Sequence, residues 1–187
     1  MTKRSPIEFY ISGGACIYCS LLLLLLPLKL LFGLAAAAAI HELSHILALK
    51  YFHEPILQIR LHAGGAVIQT NPLPPQQELF CAAAGPAGSL LCFLLVHQFP
   101  LFALCALIQG IMNLIPLYPL DGGRMLRCFC LCYFPDYEFT VCNAARWIFT
   151  ILIAAGGIYL SYRIGNPVIS LITLYFLTRT GAIRKYP

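Results

Sequence analysis

The sequence contains two histidines four residues apart with a glutamate between them, in the run His41-Glu42-Leu43-Ser44-His45. On a helix, side chains at positions i and i+4 share one face, so both imidazoles can point at one metal ion. Zinc accepts nitrogen ligands in tetrahedral geometry and keeps one position for water at catalytic sites. The pattern therefore predicts a zinc centre held by His41 and His45, with Glu42 as general base and acid.

An alternative is that these three polar side chains only satisfy one another inside a helix. The run follows five consecutive alanines, Ala35 to Ala39, within an apolar stretch. A charged side chain at bilayer depth costs about 2.5–3.5 kcal/mol on insertion scales. Because burial of three polar groups needs a compensating partner, the apolar surroundings favour a bound metal.

Two histidines leave a third protein ligand to be found. The candidates are His53, His62, His97 and Asp121. A lone histidine is more typical of a surface or hydrogen-bonded position than of a metal site. Asp121 follows two prolines, which interrupt a helix, and precedes two glycines, which free the backbone. The chain could therefore unwind and turn this carboxylate toward the metal. An ordinary Asp-Gly turn is the alternative, and spacing alone leaves both open.

The composition predicts an all-α membrane protein. Hydrophobic residues make up 60% of the 187 residues and charged residues only 10%, against about a quarter charged in soluble domains. A helical span needs about 20 apolar residues, which predicts about six transmembrane helices. They are placed at 9–26, 30–49, 78–96, 101–117, 146–162 and 167–177. The segment 124–145 is expected at the membrane interface, and residues 1–187 are expected to form a single membrane-embedded domain.

The segment between the second and third predicted helices is rich in glycine, proline and polar residues. Partial alternation over residues 60–73, centred on Gly64 and Gly65, predicts a short β-hairpin-like loop. We expect this loop to associate with the membrane, where non-helical backbone must be surrounded by protein or water.

The basic residues predict the orientation of the chain. With six spans and a cytoplasmic N-terminus, 10 of the 12 Lys and Arg residues fall in cytoplasmic segments, as the positive-inside rule requires. These ten are Lys3, Arg4, Lys50, Arg60, Arg124, Arg127, Arg146, Arg179, Arg184 and Lys185. We therefore expect a multi-pass protein of the cell membrane with both termini cytoplasmic. The net charge of +5 is assigned to topology and membrane lipid, not to nucleic acid.

The sequence has nine cysteines, several of them within apolar stretches. Cys128, Cys130 and Cys132 alternate, a spacing that matches no standard zinc motif. We predict that the cysteines serve as small apolar packing residues.

These motifs together resemble the site-2 proteases, the intramembrane zinc metalloproteases of the M50 class. The run His41 to His45 matches the HExxH helix of that family. The run Asn113 to Gly122 matches its second motif, whose aspartate is the third zinc ligand and corresponds to Asp121. The resemblance thus implies one zinc ion per chain, held by His41, His45 and Asp121.

Two further segments carry the resemblance. Gly64-Gly65 resembles the membrane-dipping loop of the family, and Gly85-Pro86 resembles its GPxxN motif, with Ser89 in the last position instead of Asn. Gly64 and Gly65 become candidate substrate-binding residues, since strand addition would hold an unwound peptide. Asn113 is another such candidate, and a polar contact between helices is the equal alternative for it.

The family resemblance implies hydrolysis of a peptide bond in or next to the membrane segment of a tethered protein substrate. The architecture is most similar to the sporulation subgroup, which implies a sigma-factor precursor as substrate and a regulatory membrane protein as partner. A CBS domain, frequent in that subgroup, is not expected here. The competing hypotheses are a non-catalytic membrane metal-binding or regulatory protein and a zinc hydrolase that acts on lipid.

Overall fold

The structure is a computed structural model that describes residues 8–62, 65–167, 170–171 and 173–174. The contacts between residues group the chain into two compact units, Met1–Ile111 and Met112–Pro187. The strands are β1 (Glu8–Ile11), β2 (Ile56–His62) and β3 (Gly65–Thr70). The α-helices are α1 (Gly13–Leu25), α2 (Leu28–Tyr51), α3 (Pro75–Leu91), α4 (Pro100–Asn113), α5 (Asp121–Tyr133) and α6 (Glu138–Ile164). Two short 3-10 helices cover Cys92–Leu95 and Pro135–Tyr137.

Three helical segments of the described chain are long and apolar enough to cross a membrane. They are Leu28–Tyr51, Pro75–Leu95 and Pro135–Ile164. The apolar helices α1 and α4 are shorter, at 13 and 14 residues, whereas a perpendicular span needs about 20 residues. Six spans therefore stay a prediction, and most of the predicted span at 167–177 lies outside the described residues.

The first predicted span begins too early in the chain. Phe9 to Ile11 belong to β1, which pairs in parallel with β2 and places Tyr10 opposite Arg60. The helix starts only at Gly13, because the Ser12 hydroxyl accepts a hydrogen bond from the Ala15 N–H at 3.2 Å and caps it. Aromatic and β-branched residues suit a strand as well as an apolar helix, so composition did not distinguish the two.

A β-hairpin forms where the sequence predicted one, although it starts earlier, at Ile56. The strands β2 and β3 are antiparallel, with Arg60 opposite Val67 and His62 opposite Gly65. Gly65 has a φ of +124°, a conformation that glycine adopts readily. Gly64 lies outside the described residues. Together with β1 the hairpin forms a three-stranded sheet in the order β1-β2-β3, so the prediction of a hairpin alone was incomplete.

The hairpin packs against the C-terminal half of α2 and the N-terminal half of α3. Ala48, Leu49 and Cys81 form a buried cluster, against which Ile56 and Ile68 of the hairpin pack. The facing residues Ala48 and Cys81 are small, which lets two helices approach closely. This contact fixes the C-terminal half of α2 against the N-terminal half of α3.

Cysteines take part in the core, as the sequence predicted. Cys92 and Cys105 are buried beside Ala37 and Ala106 in a second cluster. All nine cysteines are free thiols, and six of them are buried. Burial also raises the pKa of the Cys130 thiol, which makes this thiol less reactive than an exposed one.

In the second unit α5 ends at Tyr133 and α6 begins at Glu138, which is earlier than the predicted start of the fifth span at Arg146. The Arg127 guanidinium lies 3.2 Å from the Glu138 carboxylate and joins the middle of α5 to the start of α6. The location of residues 124–145 at the membrane interface stays a prediction.

Candidate metal and catalytic site

The two histidines of α2 are buried and face each other. His41 is 3% exposed and His45 is 8% exposed, and their Nε2 atoms lie 3.3 Å apart. Two nitrogens bound to one zinc ion at about 2.0–2.1 Å and a tetrahedral angle are about 3.3–3.4 Å apart. The imidazole spacing therefore fits a shared zinc ion.

The other ring nitrogen of each histidine contacts α3. His45 Nδ1 lies 2.7 Å from the backbone carbonyl of Cys81, and His41 Nδ1 lies 2.9 Å from the Ser89 hydroxyl. A carbonyl only accepts hydrogen bonds, so His45 Nδ1 donates to it and the lone pair of a neutral ring lies on Nε2. A metal-binding histidine ordinarily donates its second N–H in this way, which orients the ring.

The helix α3 approaches α2 closely because glycines, which have no Cβ atom, lie at the contact. A Cβ atom on Gly85 would overlap the rings of His45 and His41, and one on Gly88 would overlap the Ser44 hydroxyl. The Gly85-Pro86 motif found in the sequence thus has a steric function at this site. Any larger residue at position 85 would push the imidazoles away from their observed positions.

Glu42 follows the first histidine on α2 and is half-buried. It lies between the buried His41 and the exposed Leu43 in the chain. A general base must lie within reach of the water that it deprotonates. The assignment of Glu42 as base and acid stays a prediction.

Asp121 lies in the second unit as the first residue of α5, and it is 7% exposed. Negative charge is favourable at a helix N-terminus, and the Arg124 guanidinium lies 3.8 Å from the carboxylate. A Cβ atom on Gly122 would overlap the Leu114 carbonyl, and one on Gly123 would overlap the backbone of Leu117. The chain is non-helical over residues 114–120, where the two prolines lie, and Gly122 and Gly123 are themselves helical and allow close packing of this preceding loop.

The other candidate ligands differ from Asp121 in their exposure. His53, His62 and His97 are all exposed, which agrees with their interpretation as surface histidines. His41, His45 and Asp121 are each buried. Imidazole and carboxylate are both side-chain types that bind zinc in catalytic sites. These residues fit the metal that the sequence predicts.

Two of the three candidate substrate-binding residues are described in the structure. Asn113 is the last residue of α4 and is half-buried. Gly65 begins β3 and Gly64 is not described. Their contact with a substrate stays a prediction.

Comparison with known proteins shows what the chain is similar to. Residues 90–154 match the family model described as peptidase family M50, a stretch that includes the run Asn113 to Gly122. The chain is also 35% identical over 108 residues to a zinc metalloprotease of Methanocaldococcus jannaschii, and the alignment covers 50% of the chain and 32% of that protein. It thus spans about a third of the length of this curated relative.

A solved structure shares the fold of this chain. It is a site-2 protease from Methanocaldococcus jannaschii, 22% identical, with a TM-score of 0.65 over 99% of this chain and 96% of that chain. The mostly helical architecture with a small sheet is therefore the site-2 protease fold. Zinc is the cofactor that the match to the M50 family model, the similarity to a zinc metalloprotease and the buried histidine pair together indicate.

One sequence pattern could have pointed to the residues that surround the histidines. Cys81, Gly85 and Ser89 are spaced four residues apart, so they lie along one face of α3. All three are buried. A stripe of small residues at this spacing in an apolar helix favours close contact with another helix, but it does not say which one.

Proposed function

We propose that this protein is an intramembrane zinc metalloprotease that cuts a peptide bond in or next to the membrane segment of a tethered protein. One observation carries the proposal: two buried imidazoles at zinc-ligand spacing lie on a helix of membrane-spanning length. A metal centre at that depth needs a substrate that is also in the membrane. The match to the M50 family model supports peptide hydrolysis.

In this proposal His41, His45 and Asp121 hold the metal, with one zinc ion per chain. A zinc ion bound there would lower the pKa of a coordinated water to about 7. Glu42 takes a proton from the attacking water and delivers it to the amine nitrogen as the peptide bond breaks. The glutamate thus ends the reaction as the carboxylate with which it began.

The substrate must be extended, because a helical peptide does not expose its scissile bond. The outer strand β3 pairs with β2 on one side, and within the described sheet its other edge has no neighbouring strand. Strand addition at such an edge would hold an unwound peptide by main-chain hydrogen bonds. We propose that Gly64 and Gly65 take part in this binding of the peptide and that Asn113 contacts the substrate backbone.

Substitutions in β3 test this mode of binding. Val67→Pro and Ile68→Pro each remove one backbone N–H, whereas Val67→Ala and Ile68→Ala keep it. Loss of a hydrogen bond to substrate is expected to cost about 0.5–1.5 kcal/mol. At the position whose N–H points to the free edge, kcat/KM for a tethered peptide should therefore fall several-fold below that of the matched alanine variant. Prolines that leave cleavage intact at both positions would contradict strand addition.

The proposed topology has six spans with both termini in the cytoplasm, so the substrate would be cut near the cytoplasmic side. We propose a sigma-factor precursor as the first substrate to test and a regulatory membrane protein as a further partner. Both follow from the resemblance to the sporulation subgroup.

Cleavage by the purified protein tests the function directly. The protein is placed in lipid vesicles with a membrane-tethered peptide, and the products are identified by mass spectrometry. We expect cleavage that stops with a zinc chelator and returns with added zinc. Bound zinc without cleavage of any tethered peptide would favour the non-catalytic metal-binding alternative, and release of lipid products would favour a lipid hydrolase.

A further inference from the structure

The contact between His41 and Ser89 differs in kind from that of the second histidine. Ser89 is 0% exposed and His41 is 3% exposed, and the hydroxyl lies 2.9 Å from Nδ1. His45 instead faces the backbone carbonyl of Cys81. A carbonyl only accepts, whereas a hydroxyl both donates and accepts. The Cys81 carbonyl thus pairs with one tautomer of His45 only, whereas the Ser89 hydroxyl can pair with either tautomer of His41.

A histidine that binds zinc through Nε2 must present a lone pair on that atom. Its proton is then on Nδ1, which needs an acceptor. The Ser89 oxygen supplies this acceptor for His41, as the Cys81 carbonyl does for His45. Ser89 is therefore compatible with the metal-bound form of the site.

The Ser89 hydroxyl can also form a hydrogen bond with His41 when no metal ion is bound. The neutral His45 ring has its lone pair on Nε2, which lies 3.3 Å from His41 Nε2. A proton on His41 Nε2 can be donated to this lone pair. His41 Nδ1 is then an acceptor, and the Ser89 hydroxyl can rotate to donate to it.

We infer that Ser89 is a positioning residue whose hydroxyl lets His41 change tautomer when zinc binds. The ring proton moves from Nε2 to Nδ1, and the number of protons on the ring stays the same. Ser89 changes from donor to acceptor, while His45 keeps its tautomer throughout. This inference rests on the proposed zinc function and adds a residue that acts through His41 without touching the metal.

The first test is the zinc affinity of Ser89→Ala in the full-length protein, measured by competition with a chelator of known affinity. Loss of a hydrogen-bond partner of a metal ligand typically weakens metal binding by about 10- to 100-fold, and we expect a loss in this range. The control is Ser20→Ala, which removes an exposed hydroxyl that bonds the Cys16 carbonyl of its own helix at 2.9 Å. Its zinc affinity should equal that of the native protein.

A second variant separates the hydroxyl from simple packing. Ser89→Thr keeps the hydroxyl and is expected to recover most of the zinc affinity lost in Ser89→Ala. Native affinity in Ser89→Ala would overturn the inference. So would a folded Ser89→Thr that binds zinc as weakly as Ser89→Ala.

Nitrogen-15 chemical shifts of the histidine rings test the tautomer change itself. We expect the proton of His41 on Nε2 in metal-free protein and on Nδ1 in zinc-loaded protein, with His45 unchanged. A His41 proton on Nδ1 in both states would overturn the inference. If the native protein bound no zinc at all, the proposed function would fail instead, which distinguishes the two outcomes.

Discussion

Glu42→Gln is expected to lower kcat/KM for a tethered peptide by about 100- to 10,000-fold, the usual contribution of a general acid–base residue. At about 1.36 kcal/mol per tenfold change, this corresponds to roughly 3–5 kcal/mol of transition-state stabilisation. Glutamine is close to glutamate in size but takes up no proton at neutral pH. Because Glu42 is not an expected ligand, the zinc content should remain at the native level. Product formation and metal analysis of the same preparation measure both quantities.

The matched control is Glu54→Gln. Glu54 follows α2, where its backbone N–H donates to the Leu49 carbonyl at 3.0 Å. It lies outside the run His41 to His45. Cleavage and zinc content should both be native. Cleavage at the native rate by Glu42→Gln would remove this residue from the reaction, and loss of zinc in that variant would make it a ligand or a structural residue.

Asp121→Ala is expected to weaken zinc binding by more than about 100-fold. Loss of a residue that only hydrogen-bonds a metal ligand already weakens metal binding by about 10- to 100-fold, and loss of a ligand itself should weaken it further. A site with only two protein ligands should lose its metal during dialysis against a mild chelator. Cleavage should be lost in parallel and return in part at high zinc concentration. The measurement is zinc affinity by chelator competition together with cleavage across a zinc titration.

Asp136→Ala is the control for this substitution, since Asp136 is an exposed aspartate in the 3-10 helix Pro135–Tyr137. Asp121 also stabilises the start of α5, an effect of about 0.3–1 kcal/mol. Thermal unfolding of both variants without zinc measures that smaller effect separately. An Asp121→Ala protein with native zinc affinity would leave Asp121 with only this structural role.

The sequence predicted the hairpin but not the strand beside it. Gly64-Gly65 marks a local turn, so neighbouring residues alone specify the pairing of β2 with β3. The partner of β1 is distant in sequence, since Tyr10 pairs with Arg60. Phe9 to Ile11 are apolar and continue into an apolar helix, and no local pattern separates them from it.

The start of α6 is a second feature that the sequence did not predict. The helix α6 begins at Glu138, whereas the fifth span is predicted to begin at Arg146. In the structure its guanidinium lies 5.2 Å from the centre of the Trp147 ring and donates to the Asn143 side chain at 3.1 Å. These contacts within one helix allow α6 to continue through the charge from Glu138.

The sequence by itself determined the histidine pair of this protein, because residues four apart on a helix meet whatever surrounds them. It also supplied Glu42 and Asp121 as candidates, whose roles stay predictions. The tertiary structure alone decided which groups orient the imidazoles. Ser89 is 48 residues from His41 in the chain, and the Cys81 carbonyl is a backbone group that any residue could offer. Such partners depend on which faces of α2 and α3 pack together, and Gly85 allows the two helices to meet there.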